Sequence, residues 1–203
     1  MRWLILLGVA IVATWFVYQA VFQGASNVTP SGTPSPTSQL STTKSEYTQA
    51  LTRAKDWQPN ATLTRVYRIF DGTLTPETPL PLVYSFSSLA EPSQAYEVSI
   101  TKDDIKEKKT GKQPFELNFI PIDTGEWQID PEAALSIAGQ EGGSRFIEQH
   151  LAGYKLLQQL SKNAGHQLQW YFRYDAGDGT HMRLELFVNA ETGALDSKKE
   201  SVV

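Results

Sequence analysis

The side chains able to do chemistry are few and poorly grouped. The three histidines, His150, His166 and His181, form no H-x-x-x-H pair, and no carboxylate stands at helical spacing to complete a metal site. They read as surface or turn histidines. Asp175, Asp178 and Gly179 match the opening of a calcium loop, but the further ligands and the terminal Glu of an EF-hand are missing, so a hairpin turn explains them. A nucleophilic hydroxyl needs a base within hydrogen-bond reach, and the chain has no G-x-S-x-G elbow. Gly142-Gly143-Ser144 could offer amides to an anion, but it also reads as a helix stop. Asp103-Asp104 lies in a charged run of the kind that faces water. These residues imply no catalytic group, no metal ligand and no cofactor. An enzymatic reading would require a hydrolase site that no motif reveals.

The aromatic stretch near residue 170 is more informative. Gln167 to Tyr174 alternates as a strand, with Leu168, Trp170, Phe172 and Tyr174 on one face and Gln169, Tyr171 and Arg173 on the other. The first set belongs in a core. Tyr and Arg are enriched among binding hot spots, so Gln169, Tyr171 and Arg173 are the candidate protein-binding residues. The rival expectation is that this face packs under a helix over Arg145–Lys162.

Around that strand the pattern repeats. In the first half, Ser45 caps a helix bearing Tyr47, Ala50, Leu51 and Ala54 at helical spacing, and Pro59-Asn60 ends it. Strands are expected over Leu63–Phe70, Leu80–Phe86 and Tyr96–Ile100, closed by the charged run from Lys102 to Lys109. In the second half, Asp130 caps a helix with Pro131 at its first position, and Gly142-Gly143 stops it. A further helix is expected over Arg145–Lys162, then the Gln167–Tyr174 strand, a turn at Asp175–Gly179, a strand over Met182–Val188 and a turn at Asn189–Gly193. Phe115, Leu117, Phe119 and Ile122 suggest a connecting strand docked on one unit. The order helix, paired strands, turn and basic tail occurs twice, which points to tandem homologous units.

The N-terminal region sets the location. Trp3–Phe22 carries no charge over 20 residues, about 30 Å as a helix and enough to cross a bilayer core. Arg2 lies before it, and no charge follows until Lys44, so the positive-inside bias puts everything after Phe22 outside the cytoplasm. A cleaved signal peptide is the alternative, though Tyr18 and Gln23 stand where a cleavage site needs small residues. Gln23 to Thr43 is rich in Ser, Thr and Pro and reads as an extended stalk. The chain has net charge −4 and no Lys/Arg stripe, which argues against a nucleic-acid partner. It also has no cysteine, which excludes disulfides and thiolate chemistry.

The residues Trp127 to Gly143, then Trp170-Tyr-Phe-Arg-Tyr174, then Leu186-Phe-Val-Asn-Ala-Glu-Thr-Gly193-Ala-Leu195 resemble a PepSY domain over roughly residues 127–196. Asn189 stands where that family usually has Asp, and the match is poor over residues 45–110, where Lys102-Asp103-Asp104 replaces the Thr-Gly turn. The resemblance implies an α+β, cystatin-like fold of two units, each a helix on a small antiparallel sheet. It also implies an extracytoplasmic location and binding of an envelope or secreted protein, a protease among them. The expected organisation is a transmembrane anchor over 1–23, a linker over 24–44, a degenerate PepSY-like domain over 45–113 and a PepSY-like domain over 114–203. A passive structural subunit of an envelope complex is the other reading.

Overall fold

The computed structural model describes residues 36–72, 80–101, 103–112 and 119–203, with side chains from Thr43 onward. The expected anchor Trp3–Phe22 lies outside the described residues. Among those described, no helix is long and apolar enough to cross a membrane.

Helix α1 runs Pro36–Trp57, so it begins well ahead of Ser45, inside the segment expected to be extended linker. After Pro36, which suits a first helical position, residues 37–43 contain neither Gly nor Pro, so nothing in them breaks a helix. Ala50 and Ala54 are fully buried and bring α1 close against strands β2 (Val83–Ser87) and β3 (Gln94–Ile100). Those strands pair with β1 (Thr62–Asp71) on one side and β4 (Ile105–Gly111) on the other, all antiparallel.

The second half starts at Asp130, whose Oδ1 accepts from the Glu132 and Ala133 amides at 2.9 and 2.8 Å and caps α2 (Pro131–Ala138). Gly142-Gly143 does not end the helical segment. Gly139–Gly143 forms a wide π turn that leads straight into α3 (Ser144–Gln149). Gly142 sits at φ 126°, a conformation open to glycine. A Cβ on Gly143 would strike the Tyr174 hydroxyl and come within 2.8 Å of the Ala138 carbonyl.

The helix expected over Arg145–Lys162 is therefore a correction. Its first residues are α3, but Gly153 at φ 146° turns the chain, and Tyr154–Lys162 is strand β5. Its inward set is Leu156, Gln158 and Leu160, and the polar member hid the two-residue alternation. Strands β6 (Leu168–Ala176), β7 (Met182–Asn189) and β8 (Leu195–Val202) follow as an antiparallel meander.

The two expected small sheets are in fact one. The order β4-β3-β2-β1-β5-β6-β7-β8 is a single antiparallel sheet of eight strands, joined where β1 pairs with β5 from Val66↔Leu160 to Asp71↔Lys155. Pairing was free to join the halves because β1 and β5 each place buried side chains on the same face, with main-chain groups to spare on the outer side. One apolar core fills the space between that face and the helices, including Ala54, Val66, Tyr84, Trp127, Trp170 and Phe172. The two outer strands, β4 and β8, carry Lys106, Lys108, Lys109, Lys198 and Lys199, charges that discourage edge-to-edge pairing.

Candidate protein-binding face

Strand alternation leaves a second face of the sheet on which no helix lies among the described residues. Across it, register aligns Val83, Tyr67, Gln159, Tyr171 and Phe187 in one row, and Ile69, Leu157, Arg173 and Glu185 in the next. Over β1, β5 and β6 these side chains line a groove of about 550 Å³. Phe119, from the segment that connects the halves, closes one end beside Arg65. That segment then bonds to β1 through the Ile122 amide and the Leu63 carbonyl, 2.8 Å; residues 119–122 form no strand, and Phe115 and Leu117 of the expected connecting strand lie outside the described residues.

Of the three candidate residues, Tyr171 and Arg173 lie in this groove and Gln169 does not. Tyr171 stacks on Phe187 at 4.9 Å and donates its hydroxyl to Glu185 Oε1. Burial, together with that carboxylate, pushes the Tyr171 hydroxyl's pKa up, so it stays a donor. Arg173 Nε stands 2.9 Å from Asp175 Oδ2, an ion-pair contact, and the side chain keeps 39% of its surface in solvent. Gln169 is buried: its Nε2 donates to Asp196 Oδ2 at 2.5 Å and its Oε1 accepts from Asn163 at 3.0 Å. That side chain fastens β6 to the β8 side and has no reach into the groove.

Sequence reasoning missed the groove's other half. Ile69 lies within the expected Leu63–Phe70 strand, yet it is 56% exposed, an unusual position for a large apolar side chain mid-strand. Arg65 and Tyr67 both contact Glu97, Arg65 Nη2 at 3.3 Å and the Tyr67 hydroxyl at 3.0 Å. The Arg65 guanidinium lies 4.3 Å over the Tyr67 ring. The grouping Arg65, Tyr67 and Glu97 thus matches Arg173, Tyr171 and Glu185 on the far side. The sequence does carry a signal, R-x-Y in β1 and Y-x-R in β6, but only the β1–β5 pairing puts the two on one surface.

Two other clusters are held by their own contacts. On the core face Arg68 is 4% exposed; its Nε donates to Gln158 Oε1 at 2.7 Å and Nη1 to Glu132 Oε1 at 2.7 Å. Gln158 Nε2 donates in turn to the Pro131 carbonyl at 2.6 Å. This network ties β1, β5 and α2 together at the seam. His150, expected at a surface or turn position, is a turn residue at the end of α3, but it is buried against Phe146, with Nδ1 2.6 Å from Asp178 Oδ2. Thr180 donates to Asp178 as well, and these bonds hold the Asp178 carboxyl well below the usual range. The pair pins the β6–β7 turn to α3; among the described residues no hydroxyl bonds to the other ring nitrogen. A wider depression of about 810 Å³ runs along α2, the π turn and α3, with Leu135 its one large apolar lining residue. Among the described residues no three His, Asp or Glu side chains are grouped to hold a metal ion.

Comparison with known proteins adds little to this geometry. No protein-family model matches the chain, and no curated protein matches it. A solved structure it is similar to is described as a "putative lipoprotein (CD1622)" from Clostridium difficile 630. It is 17% identical, with a TM-score of 0.46, over 76% of this chain and 92% of that one. Likeness of that degree carries no argument about this chain. The PepSY resemblance therefore stands on the residues quoted for it.

Proposed function

We propose that this chain is a membrane-anchored, extracytoplasmic protein-binding module that modulates a protease or another cell-envelope enzyme, and that it acts by binding and not by catalysis. The observation that carries the reading is the groove on the helix-free face. It gathers Tyr67, Tyr171, Phe119, Ile69 and Arg173 over the middle of the sheet, where no helix among the described residues covers them. Aromatic and Arg side chains in a depression are the residue types that dominate interface energies. The anchor and its orientation rest on the uncharged run Trp3–Phe22 and on Arg2.

The test is partner capture from native membranes with the full chain, wild type against a Tyr171→Ala, Arg173→Ala double variant. The variant is expected to weaken capture at least tenfold, about 1.4 kcal/mol, while its unfolding midpoint moves little. A folded variant with undiminished capture would clear this face of the role. Capture that survives loss of the face but needs residues 1–23 would favour the passive-subunit reading. A reporter fused after Val203 should be active only outside the cytoplasm; the opposite result overturns the orientation.

A further inference from the structure

The sheet ends in two open edges, and they are not alike. No strand among the described residues pairs with the outer side of β4 or of β8. β8 carries two residues of each sign, Asp196, Lys198, Lys199 and Glu200, and its register against β7 shifts between Phe187 and Val188. β4 carries Lys106, Lys108 and Lys109 against the single Glu107, in a chain whose net charge is −4. Its register with β3 runs unbroken from Gln94↔Gly111 to Ile100↔Ile105. A regular edge with an excess of one charge is a template for an added strand of the opposite charge.

The hydrogen bonds between β3 and β4 fix which groups point outward. Thr101 N donates to the Asp104 carbonyl and Lys112 N to the Ser93 carbonyl, each at 2.9 Å, so the even-numbered residues of β4 bond inward. The N–H and C=O groups of Ile105, Glu107, Lys109 and Gly111 therefore face away from the sheet. Side chains sort by the same alternation. Glu107 and Lys109 lie on the helix side, where the Tyr96 hydroxyl donates to Glu107 Oε2 at 2.5 Å and Lys109 Nζ stands 5.9 Å over the Trp57 ring. Trp57 stacks on Tyr96 at 5.2 Å, and beside them a depression of about 540 Å³ opens between the end of α1 and the edge. Lys106 and Lys108 are exposed on the opposite face and make no ion pair among the described residues.

We infer that β4 takes an extended acidic segment of a protein partner as a ninth, antiparallel strand, with carboxylates at alternate positions opposite Lys106 and Lys108 and an apolar side chain between them turned toward the Trp57 depression. In such an addition the two lysines fall in non-hydrogen-bonded pairs, where facing side chains come closest, so the charge opposite them counts most. A basic segment would meet like charge, and the same lysines oppose pairing with a second β4. This edge lies apart from the groove over β1, β5 and β6. It goes beyond the reading given above and shares with it only the premise that the chain binds protein.

The experiment measures fluorescence anisotropy of labelled heptapeptides with the full chain in detergent micelles. One peptide carries Glu at its third and fifth positions and Val at its second, fourth and sixth; two others carry Gln or Lys in place of Glu. The Glu peptide is expected to bind roughly tenfold more tightly than the Gln peptide, the Lys peptide not at all. Raising salt from about 50 to about 500 mM should shrink the gap. N-methylation of the fourth residue, whose N–H would bond to β4, should abolish binding, whereas N-methylation of the third, whose N–H points away, should leave it. Lys106→Gln with Lys108→Gln should remove the Glu preference; Lys198→Gln with Lys199→Gln on β8, and Tyr171→Ala with Arg173→Ala in the groove, should leave it intact. Equal binding of Glu and Gln peptides, no binding up to millimolar concentration, or indifference to the fourth-residue methyl group overturns the inference. Loss of the peptide in the groove variant would place it there and overturn the inference too. Partner capture that ignores Tyr171 and Arg173 while the Glu peptide still binds sinks the groove and leaves this edge standing. A dimer in sedimentation velocity whose formation blocks the peptide would assign the edge to a second copy, against the inference.

Discussion

Glu46 sits half-buried on α1, where the Tyr84 hydroxyl donates to it at 3.2 Å. Burial raises its pKa, and the Tyr84 bond offsets part of the rise. A raised folded-state value means that the carboxyl contributes most below its unfolded pKa, about 4.3, and that the contribution is lost as pH climbs through the folded value. Glu46→Gln keeps an acceptor for Tyr84 without a charge to desolvate. The variant should match wild type near pH 4 and exceed it at pH 7, by less than about 1 kcal/mol because the site is half in solvent. Urea melts at the two pH values check this, and a less stable variant at pH 7 would refute the sign. Trp170 is the opposite kind of residue. It is fully buried, its indole donates to the Ile129 carbonyl at 2.9 Å, and it meets Trp127 edge-on at 6.0 Å. Trp170→Ala should cost about 3–5 kcal/mol; a loss within about 0.5 kcal/mol would contradict the register of β6.

At the scale of elements, β5 is the strand that makes the sheet continuous, and its polar inward residue is the point to test. Arg68 and Gln158 are direct partners in the β1–β5 register and hydrogen-bond across it. Gln158→Leu would strand the Arg68 guanidinium in the core beside Phe70, with Glu132 its remaining acceptor among the described residues. The loss should be about 1–3 kcal/mol. Arg68→Met with Gln158→Leu should recover part of it, since replacing both partners by apolar groups removes the stranded charge. A double-mutant cycle by chemical denaturation reads the coupling, and strict additivity would show that the pair does not interact. The same strand shows why the second half was misread. Leu151, Tyr154 and Leu157 keep a helical rhythm, while the true inward set has Gln158 at its centre, so an apolar-periodicity rule prefers the wrong structure.

At the scale of the whole molecule, each half runs helix first and then four strands, but neither half owns a closed core. Cutting between the halves would expose the outer side of β1 and of β5, together with Val66, Leu156 and Leu160, all buried in the whole. Fragments 36–112 and 119–203 should therefore fail to unfold cooperatively when made separately, whereas 36–203 should melt as one unit. Circular dichroism melts with two-dimensional amide NMR spectra distinguish the outcomes; a well-dispersed spectrum from either fragment alone would show that it is an independent domain. The continuous sheet also explains how a surface can exist that neither half makes alone. The groove draws Arg65, Tyr67 and Ile69 from the first half and Leu157, Gln159, Tyr171 and Arg173 from the second.

Alternation and capping are local, and what depends on them was legible in the residues. Trp170, Phe172 and Tyr174 face the core, Tyr171 and Arg173 face away, Asp130 starts a helix and Asn189–Gly193 makes a turn, because each rests on a few neighbouring dihedrals and side chains. The expectation of an α+β chain with helix-then-strands order has the same origin. Long-range pairing is not local. Whether β1 and β5 close separate sheets or share one is decided by hydrogen bonds between segments some ninety residues apart, and no pattern within either segment encodes its partner. Gln169 and Gln158 show the cost at single positions: each looks solvent-facing as a residue type, and each is buried by acceptors or donors that the fold brings from elsewhere. The candidate groove belongs to this second class. Two of its eight lining residues, Tyr171 and Arg173, could be named from β6 alone, and most of the rest only once pairing had set β1 and β5 beside it.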